Sequence, residues 1–265
     1  PDWPTIARQF RAAGARVLLL TNGLLVRRQI DEVIASVDEL IVSLDGGTAP
    51  TYEAIRGVDA FDLVVEGMRL ARAGGIPVTT RTTVQRLNFR EIPDIIGVGL
   101  AADVGSISFL TVDVSNPFAF GDRLIPVEHQ PPVTALTRDD ITELGGVLDR
   151  VERDHAAAFA AGRIAESPAK LRRMLTYFGG LQGEAFDPPR CNAPQTSVVV
   201  EVDGRIRPCY FLPVMGKVTP ERPLSVALNE QAARDLRRAV RMRQRPECER
   251  CVCPLYKGPR ALVRL

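Results

Sequence analysis

Four short β-type runs separated by helical stretches fill the first 112 residues, and this alternation restricts the fold more than any other feature. The runs are "ARVLLL" (15–20), "ELIVSL" (39–44), "PVTTRTTV" (77–84) and "SISFLTV" (106–112). Between them, "LLVRRQIDEVIASV", "FDLVVEGMRLARAG" and "FREIPDIIGVGLAAD" place apolar residues at helical spacing. Strands that are apolar along most of their length and alternate with helices predict a parallel sheet buried on both faces. Each run ends in polar or small residues: "TNG", "DGG", "QRLN" and "DVSN". In parallel α/β folds the loops at the carboxyl ends of the strands converge on one rim, which carries the site. Thr21, Asn22, Ser43, Asp45, Arg81, Gln85 and Asp113 are therefore expected near one mouth.

The chain opens "PDWPTIARQF", a helix in which Asp2 is placed to cap the first turn and Ile6, Phe10 and the alanines form an apolar face. After a proline-containing loop over 113–136, two helices are expected at about 137–161 and 167–181, the second capped by Ser167 ahead of Pro168. The texture changes from "PPRC" onward. "TSVVVEVDGRIRPCYF" reads as two β-runs joined by Asp203-Gly204, a strong hairpin signal. The expected division is 1–136, a linking pair of helices at 137–184, and a small second domain at 185–265.

Five cysteines occur in 265 residues, three of them within "PECERCVCPLY". The spacing is C-x17-C-x38-C-x2-C for Cys191, Cys209, Cys248 and Cys251, with Cys253 two residues further on. A C-x2-C turn points two sulfurs at one centre, and the ends of the predicted hairpin bring two more. Four thiolates suit a [4Fe–4S] cluster or a structural zinc, since both take soft sulfur ligands. Zinc ribbons commonly pair two C-x2-C knuckles, so the spacing leans toward a cluster. Crowded thiols of this kind fit a reducing compartment, and the cytoplasm is the default expectation. A net charge of +2 gives no footprint for nucleic acid or membrane. The apolar runs are too short to span a bilayer.

Taken together, "LLLTNG", "VDELIVSLDGGTAPTYEAIRG", "TTRTTVQRLN" and the cysteine series around "DGRIRPC" and "CERC" resemble a radical S-adenosylmethionine (SAM) enzyme. The C-terminal part resembles its twitch or SPASM-like auxiliary domain. The resemblance implies an α/β chain with a partial (β/α)6 barrel, strands three to six present, followed by a small α+β domain. It implies that Cys191, Cys209, Cys248 and Cys251 hold an auxiliary [4Fe–4S] cluster assigned to electron transfer. It also implies that Ser43, Asp45 and Arg81 contact the ribose and carboxylate of SAM, and that Leu110 packs or hydrogen-bonds adenine. An arginine fork suits a carboxylate and an aspartate suits ribose hydroxyls. The implied reaction is hydrogen abstraction by a 5′-deoxyadenosyl radical from a small metabolite or a peptide, with a flavodoxin or ferredoxin as electron donor.

The departure from the family is at the front. The C-x3-C-x2-C loop and the "GGEP"-like turn are absent, and no cysteine precedes residue 191. The expectation is a fragment whose upstream part would bring SAM and a second [4Fe–4S] cluster; as written the chain cannot cleave SAM. A catalytically inactive homologue and a zinc-stabilised binding module are the alternatives. No catalytic residue is assigned. Asp113, Asn116 and Asp122 are candidates for the pocket wall, or equally solvated loop residues, while His129 and His155 stand in no metal spacing. "ARDLRRAVRMRQR" carries arginines along one side of a helix, which reads as a solvated basic face or a landing place for an acidic electron donor.

Overall fold

In the computed structural model, which describes residues 2–118 and 134–258, four parallel strands lie in the order β1-β2-β3-β4. Helix α1 (Trp3–Ala12) leads into β1 (Leu18–Thr21), α2 (Ile30–Ser36), β2 (Glu39–Ser43), α3 (Ala49–Arg56) and α4 (Phe61–Ala73). Strand β3 (Val78–Val84) follows, then a 3-10 turn (Phe89–Glu91) running into α5 (Ile92–Ala101), and β4 (Ser106–Thr111). These residues together with 134–178 form one compact unit; 113–118 and 179–258 form a second.

Neighbouring residues in a parallel register share a face, and successive residues along a strand point to opposite faces. Leu40, Val42, Val78, Val84 and Phe109 fall on one face and are buried. Helix α4 packs on β2 and β3, and α5 packs on β4. The covering surfaces are Val64, Val65 and Met68 of α4 and Ile92, Ile95 and Ile96 of α5, all buried. The opposite face departs from the expectation of a sheet buried on both sides. Ser43, Thr79, Arg81, Thr83 and Leu110 are only half-buried there. The face is mixed, since Leu18 and Leu20 of β1 also lie on it and are exposed.

Local differences from the sequence reading have local causes. The helix expected over 24–37 is a helix only from Ile30; before it, hydrogen-bonded turns run from "TNG", where the Asn22 side chain accepts from Leu24 N–H at 3.2 Å and Gly23 has φ 83°. Asp2 occupies the cap position of α1 without a side-chain cap bond, and of the apolar face only Ala7 is buried; Ile6 and Phe10 are 51% and 59% exposed. The helix expected over 137–161 divides at His155 into α6 (Arg138–Asp154) and α7 (Ala156–Ala160). Thr137 and Asp140 form a reciprocal capping box at the start of α6, worth about 1 kcal/mol. Helix α8 (Pro168–Leu181) starts with Lys170 N–H donating to the Ser167 hydroxyl at 3.2 Å.

The free edge of β4 is closed from within the unit. Ile107 N–H donates to Arg163 O at 2.8 Å and Ala165 N–H to Ile107 O at 2.9 Å. The buried Glu166 carboxylate then accepts from Phe109 N–H at 2.8 Å and the Ser108 hydroxyl at 3.1 Å. An otherwise unpaired strand edge is thereby satisfied.

In the second unit, α9 (Ala193–Thr196) precedes an antiparallel sheet of β5 (Val199–Val200), β6 (Arg205–Arg207) and β7 (Gly216–Lys217). The Asp203-Gly204 turn is where the sequence placed it. Gly204 has φ 83°, and a Cβ there would lie 2.5 Å from Val218 O, so only glycine fits. Helices α10 (Leu224–Ala227), α11 (Gln231–Arg241) and α12 (Pro246–Glu249) complete the unit. Ile206, Met215, Ala227 and Ala233 form a small core.

Candidate metal centre and open sheet face

All five cysteines carry free thiols and line one small pocket with Ala193, Pro194, Phe211, Leu212, Val240 and Glu247. Cys191 lies just before α9, Cys209 just after β6, Cys248 within α12, and Cys251 and Cys253 in the turn beyond it. Three features gather them. The antiparallel register pairs Val199 with Arg207 and so folds the Cys209 end of β6 back toward α9. Arg207, 1% exposed, is bonded through Nε to Glu201 at 2.5 Å and through Nη1 to Leu212 O at 3.1 Å, which anchors the segment carrying Cys209. Asn192 binds the tail of the cysteine loop three ways, by its N–H to Leu255 O, its Nδ2 to Lys257 O and its Oδ1 from Lys257 N–H, each at 2.8 Å.

The pocket is apolar enough to favour the neutral thiol at Cys209, Cys248 and Cys251. Burial pushes the Cys209 thiol up to about 12 and the Cys248 thiol up to about 11, and raises Cys251 further. Backbone N–H groups of Phe211 and Cys253 donate to Cys209 and Cys251 and partly oppose that rise. The other thiols in the pocket reinforce it. A single zinc would need its sulfurs gathered at about 2.3 Å from one point. Among the described residues, no group of three or more cysteine, histidine, aspartate or glutamate side chains is drawn together that tightly. The five thiols around one apolar pocket offer soft donors to a cubane, which would give each of four thiolates its own iron at a separate corner.

The first unit holds a different arrangement. Ser43, Arg81 and Ser108 are aligned across β2, β3 and β4, and Leu110 is aligned with Thr83. Ser43, Arg81 and Leu110 therefore share the half-buried face. Arg81 Nε is buried with no hydrogen-bond partner, and no carboxylate pairs with Arg81 among the described residues. Asp45 is placed otherwise. It is 3% exposed, accepts from Thr83 N–H at 2.7 Å and is ion-paired with Arg56. Burial raises its carboxyl above the usual range, against the pull of Arg56 and Thr83. Its carboxylate thus ties the end of β2 to β3 and α3.

Asn88, fully buried, does related work that the sequence reading missed. Its Nδ2 donates to Asp45 O at 2.9 Å and Thr83 O at 3.1 Å, and its Oδ1 accepts from Gln85 N–H at 2.8 Å. Nothing in the local pattern of "QRLN" singles out the asparagine. Asp113 folds back on its own loop, accepting from the N–H groups of Ser115 and Asn116. Asn116 is buried and donates to Phe211 O at 3.0 Å. Asp122 and His129 lie outside the described residues.

Comparison with known proteins agrees with this geometry. Residues 191–252 match the SPASM family, an iron–sulfur cluster-binding domain. An AdoMet-dependent heme synthase of Methanosarcina barkeri is 37% identical over 112 residues, 41% of this chain and 32% of that protein. A probable GTP 3′,8-cyclase of Saccharolobus islandicus is 27% identical over 216 residues, 79% of this chain and 63% of that protein. The chain thus spans about a third of one of these curated relatives and under two thirds of the other. Among solved structures, SuiB of Streptococcus suis bound to S-adenosylmethionine superposes with TM-score 0.61 at 12% identity, covering 96% of this chain and 59% of that one. The native anSMEcpe with bound AdoMet and a Kp18Cys peptide superposes with TM-score 0.55 at 16% identity, covering 83% and 59%. The shared fold is a partial α/β barrel followed by a small iron–sulfur domain.

Proposed function

We propose, on the premise that this chain is a radical SAM superfamily protein carrying a C-terminal SPASM domain, that it serves a radical SAM enzyme as its SAM-facing sheet and its auxiliary-cluster domain. The observation that carries the reading is the apolar pocket lined by all five thiols, four of them within the matched SPASM segment. Cys191, Cys209, Cys248 and Cys251 are the proposed ligands of an auxiliary [4Fe–4S] cluster within 185–265, and Cys253 is the spare. Ser43, Arg81 and Leu110 on the half-buried face are proposed to receive SAM, with Asp45 holding the strand end behind them. Bound beside a reduced catalytic [4Fe–4S] cluster, SAM supplies the radical that abstracts hydrogen from the substrate.

The substrate is proposed to be a small molecule or a peptide. The two curated relatives are named for a heme synthase and a cyclase of GTP, whereas the SuiB and anSMEcpe structures include complexes with peptides. A flavodoxin or ferredoxin is the proposed electron donor, and five free thiols favour the cytoplasm. No helix among the described residues is long and apolar enough to cross a membrane. The zinc-module alternative is disfavoured by the match of 191–252 to an iron–sulfur cluster-binding family; the inactive-homologue alternative is decided by assay of SAM cleavage.

The test is iron, sulfide and zinc per chain on protein purified without oxygen. About four irons with equal sulfide in the C-terminal unit supports the reading, and one zinc without sulfide overturns it. Loading should also depend on pH. Ligation requires thiolates, and the pocket favours thiols, so iron uptake should fall as pH is lowered from about 8.5 to about 6.5. The converse holds for the metal-free fold: raised thiol values contribute stability below the ordinary value of 9.0, and this is lost as pH climbs toward about 12. Equal uptake across that lower range would contradict the account.

Arg81→Met is the test of the sheet face. It should weaken SAM binding by about tenfold to a hundredfold, the equivalent of about 1.5–3 kcal/mol in charge-assisted hydrogen bonds. Since Arg81 gives up no ion pair within the described fold, the thermal midpoint should hold. A lowered midpoint with unchanged SAM affinity would make Arg81 a structural residue.

A further inference from the structure

The second unit carries a basic groove of about 730 Å³ for which the cluster reading has no use. One wall is α11, whose Arg234, Arg237, Arg238 and Arg241 stand at helical i, i+3, i+4 and i+7 spacing and all line the groove. Gln195, Thr196 and Ser197 at the end of α9 form part of the other wall. Arg237 donates to Leu228 O at 2.6 Å. Arg234, Arg238 and Arg241 are exposed, and none of the three has an acidic partner among the described residues. Four guanidinium groups on two turns repel one another, and in this fold no carboxylate offsets three of them. Since the whole chain carries a net charge of only +2, this positive field is local to the groove.

The groove backs directly onto the thiol pocket. Pro194 lines both. Arg241 lines the groove and also a neighbouring cleft that includes Cys191 and Cys248. Within α11 the sequence alternates between the two, since Val240 faces the thiols and Arg241 the groove. The groove therefore shares lining residues with the thiol pocket and the cleft beside it.

We infer that the α9–α11 groove is the docking surface for a small acidic one-electron carrier protein that exchanges electrons with the auxiliary cluster. The inference rests on the reading that the thiol pocket holds a redox cluster. One electron leaves the carrier's reduced flavin or iron–sulfur group and the cluster's charge falls by one; no bond is made or broken. Exposed, unpaired arginines suit a transient encounter guided by charge rather than a large apolar interface. The balanced total charge and the confined groove disfavour a nucleic acid, which would draw on a longer basic track.

The experiment uses the full chain with a reduced flavodoxin as the probe, and single-stranded RNA and polyglutamate as competitors. Flavodoxin affinity is measured at low and high salt, with and without cluster loading, for the wild type, Arg234→Glu/Arg238→Glu and Arg234→Gln/Arg238→Gln. The rate of cluster reduction is measured in parallel, with dithionite as a reductant that needs no docking. Expected results are salt-sensitive binding and a loss of tenfold or more in both affinity and flavodoxin-driven rate on charge reversal, with a smaller loss on neutralisation. Dithionite reduction and iron content should be unchanged. No binding, or unchanged binding in the reversed variant, overturns the inference, as does RNA or polyglutamate binding more tightly at the same residues. Affinity lost without loss of the flavodoxin-driven rate overturns it too. Absent iron and sulfide in the wild type would instead overturn the cluster reading, while the affinity measurement on the metal-free chain still decides the groove.

Discussion

Cys248→Ala and Cys251→Ala should each take the C-terminal unit from about four irons and four sulfides per chain to nearly none. In a cubane held by four thiolates every ligand closes one iron, so removing one opens that iron to solvent and the cluster is lost by degradation. The pocket gives this prediction its discriminating control. Cys253 lines the same cavity as the four proposed ligands. If it is the spare, Cys253→Ala keeps its iron. If iron survives in Cys251→Ala but disappears in Cys251→Ala/Cys253→Ala, Cys253 has moved in as a substitute. Retained iron in Cys248→Ala, or iron lost in Cys253→Ala, overturns the assignment of ligands.

Arg207→Ala should destabilise the C-terminal unit by about 3 kcal/mol, the lower end of the cost of removing one partner from a buried ion pair. Arg207 is 1% exposed and serves Glu201 and Leu212 O together. Its removal leaves the Leu212 carbonyl without that donor and opens a cavity at the base of β6. Glu201 retains Arg205 at 3.0 Å, which is why the upper end of the range is not expected. Denaturant unfolding at equal cluster loading is the measurement, because a bound cluster stabilises the fold by mass action. A cost under about 1 kcal/mol would mean that the pair is not the anchor of the Cys209 segment. Arg207→Met with Glu201→Leu should recover much of the loss, since a well-packed apolar pair needs no desolvation of charge.

How far the sequence could be read followed the range of the interactions. The four parallel strands were legible because apolar runs and helical spacing are local patterns, and each strand ended within a few residues of its expected place. The Asp203-Gly204 hairpin was legible because the turn demands a left-handed residue, and only glycine takes that conformation freely. Asn88, Glu166 and Arg207 were not legible. Asn88 and Glu166 act on groups far from them in sequence, Asn88 on Asp45 O and Glu166 on Ser108 and Phe109, while Arg207 binds near neighbours but is buried by a fold that no local pattern announces. Asp45 is the instructive case, because its position at a strand end suggested a ligand contact while its burial beside Arg56 ties it into the fold.

By itself the sequence determined the class of fold and the identity of the thiols as a set. These follow from periodicity and from the rarity of soft sulfur donors, neither of which needs a third dimension. Only the tertiary structure decided which sheet face is covered and which stays half open, that five thiols separated by up to 62 positions line one pocket, and that an arginine stripe lines a groove sharing Pro194 with it. Burial, register and the pairing of charges arise from contacts between distant residues, and those contacts exist only once the chain has folded.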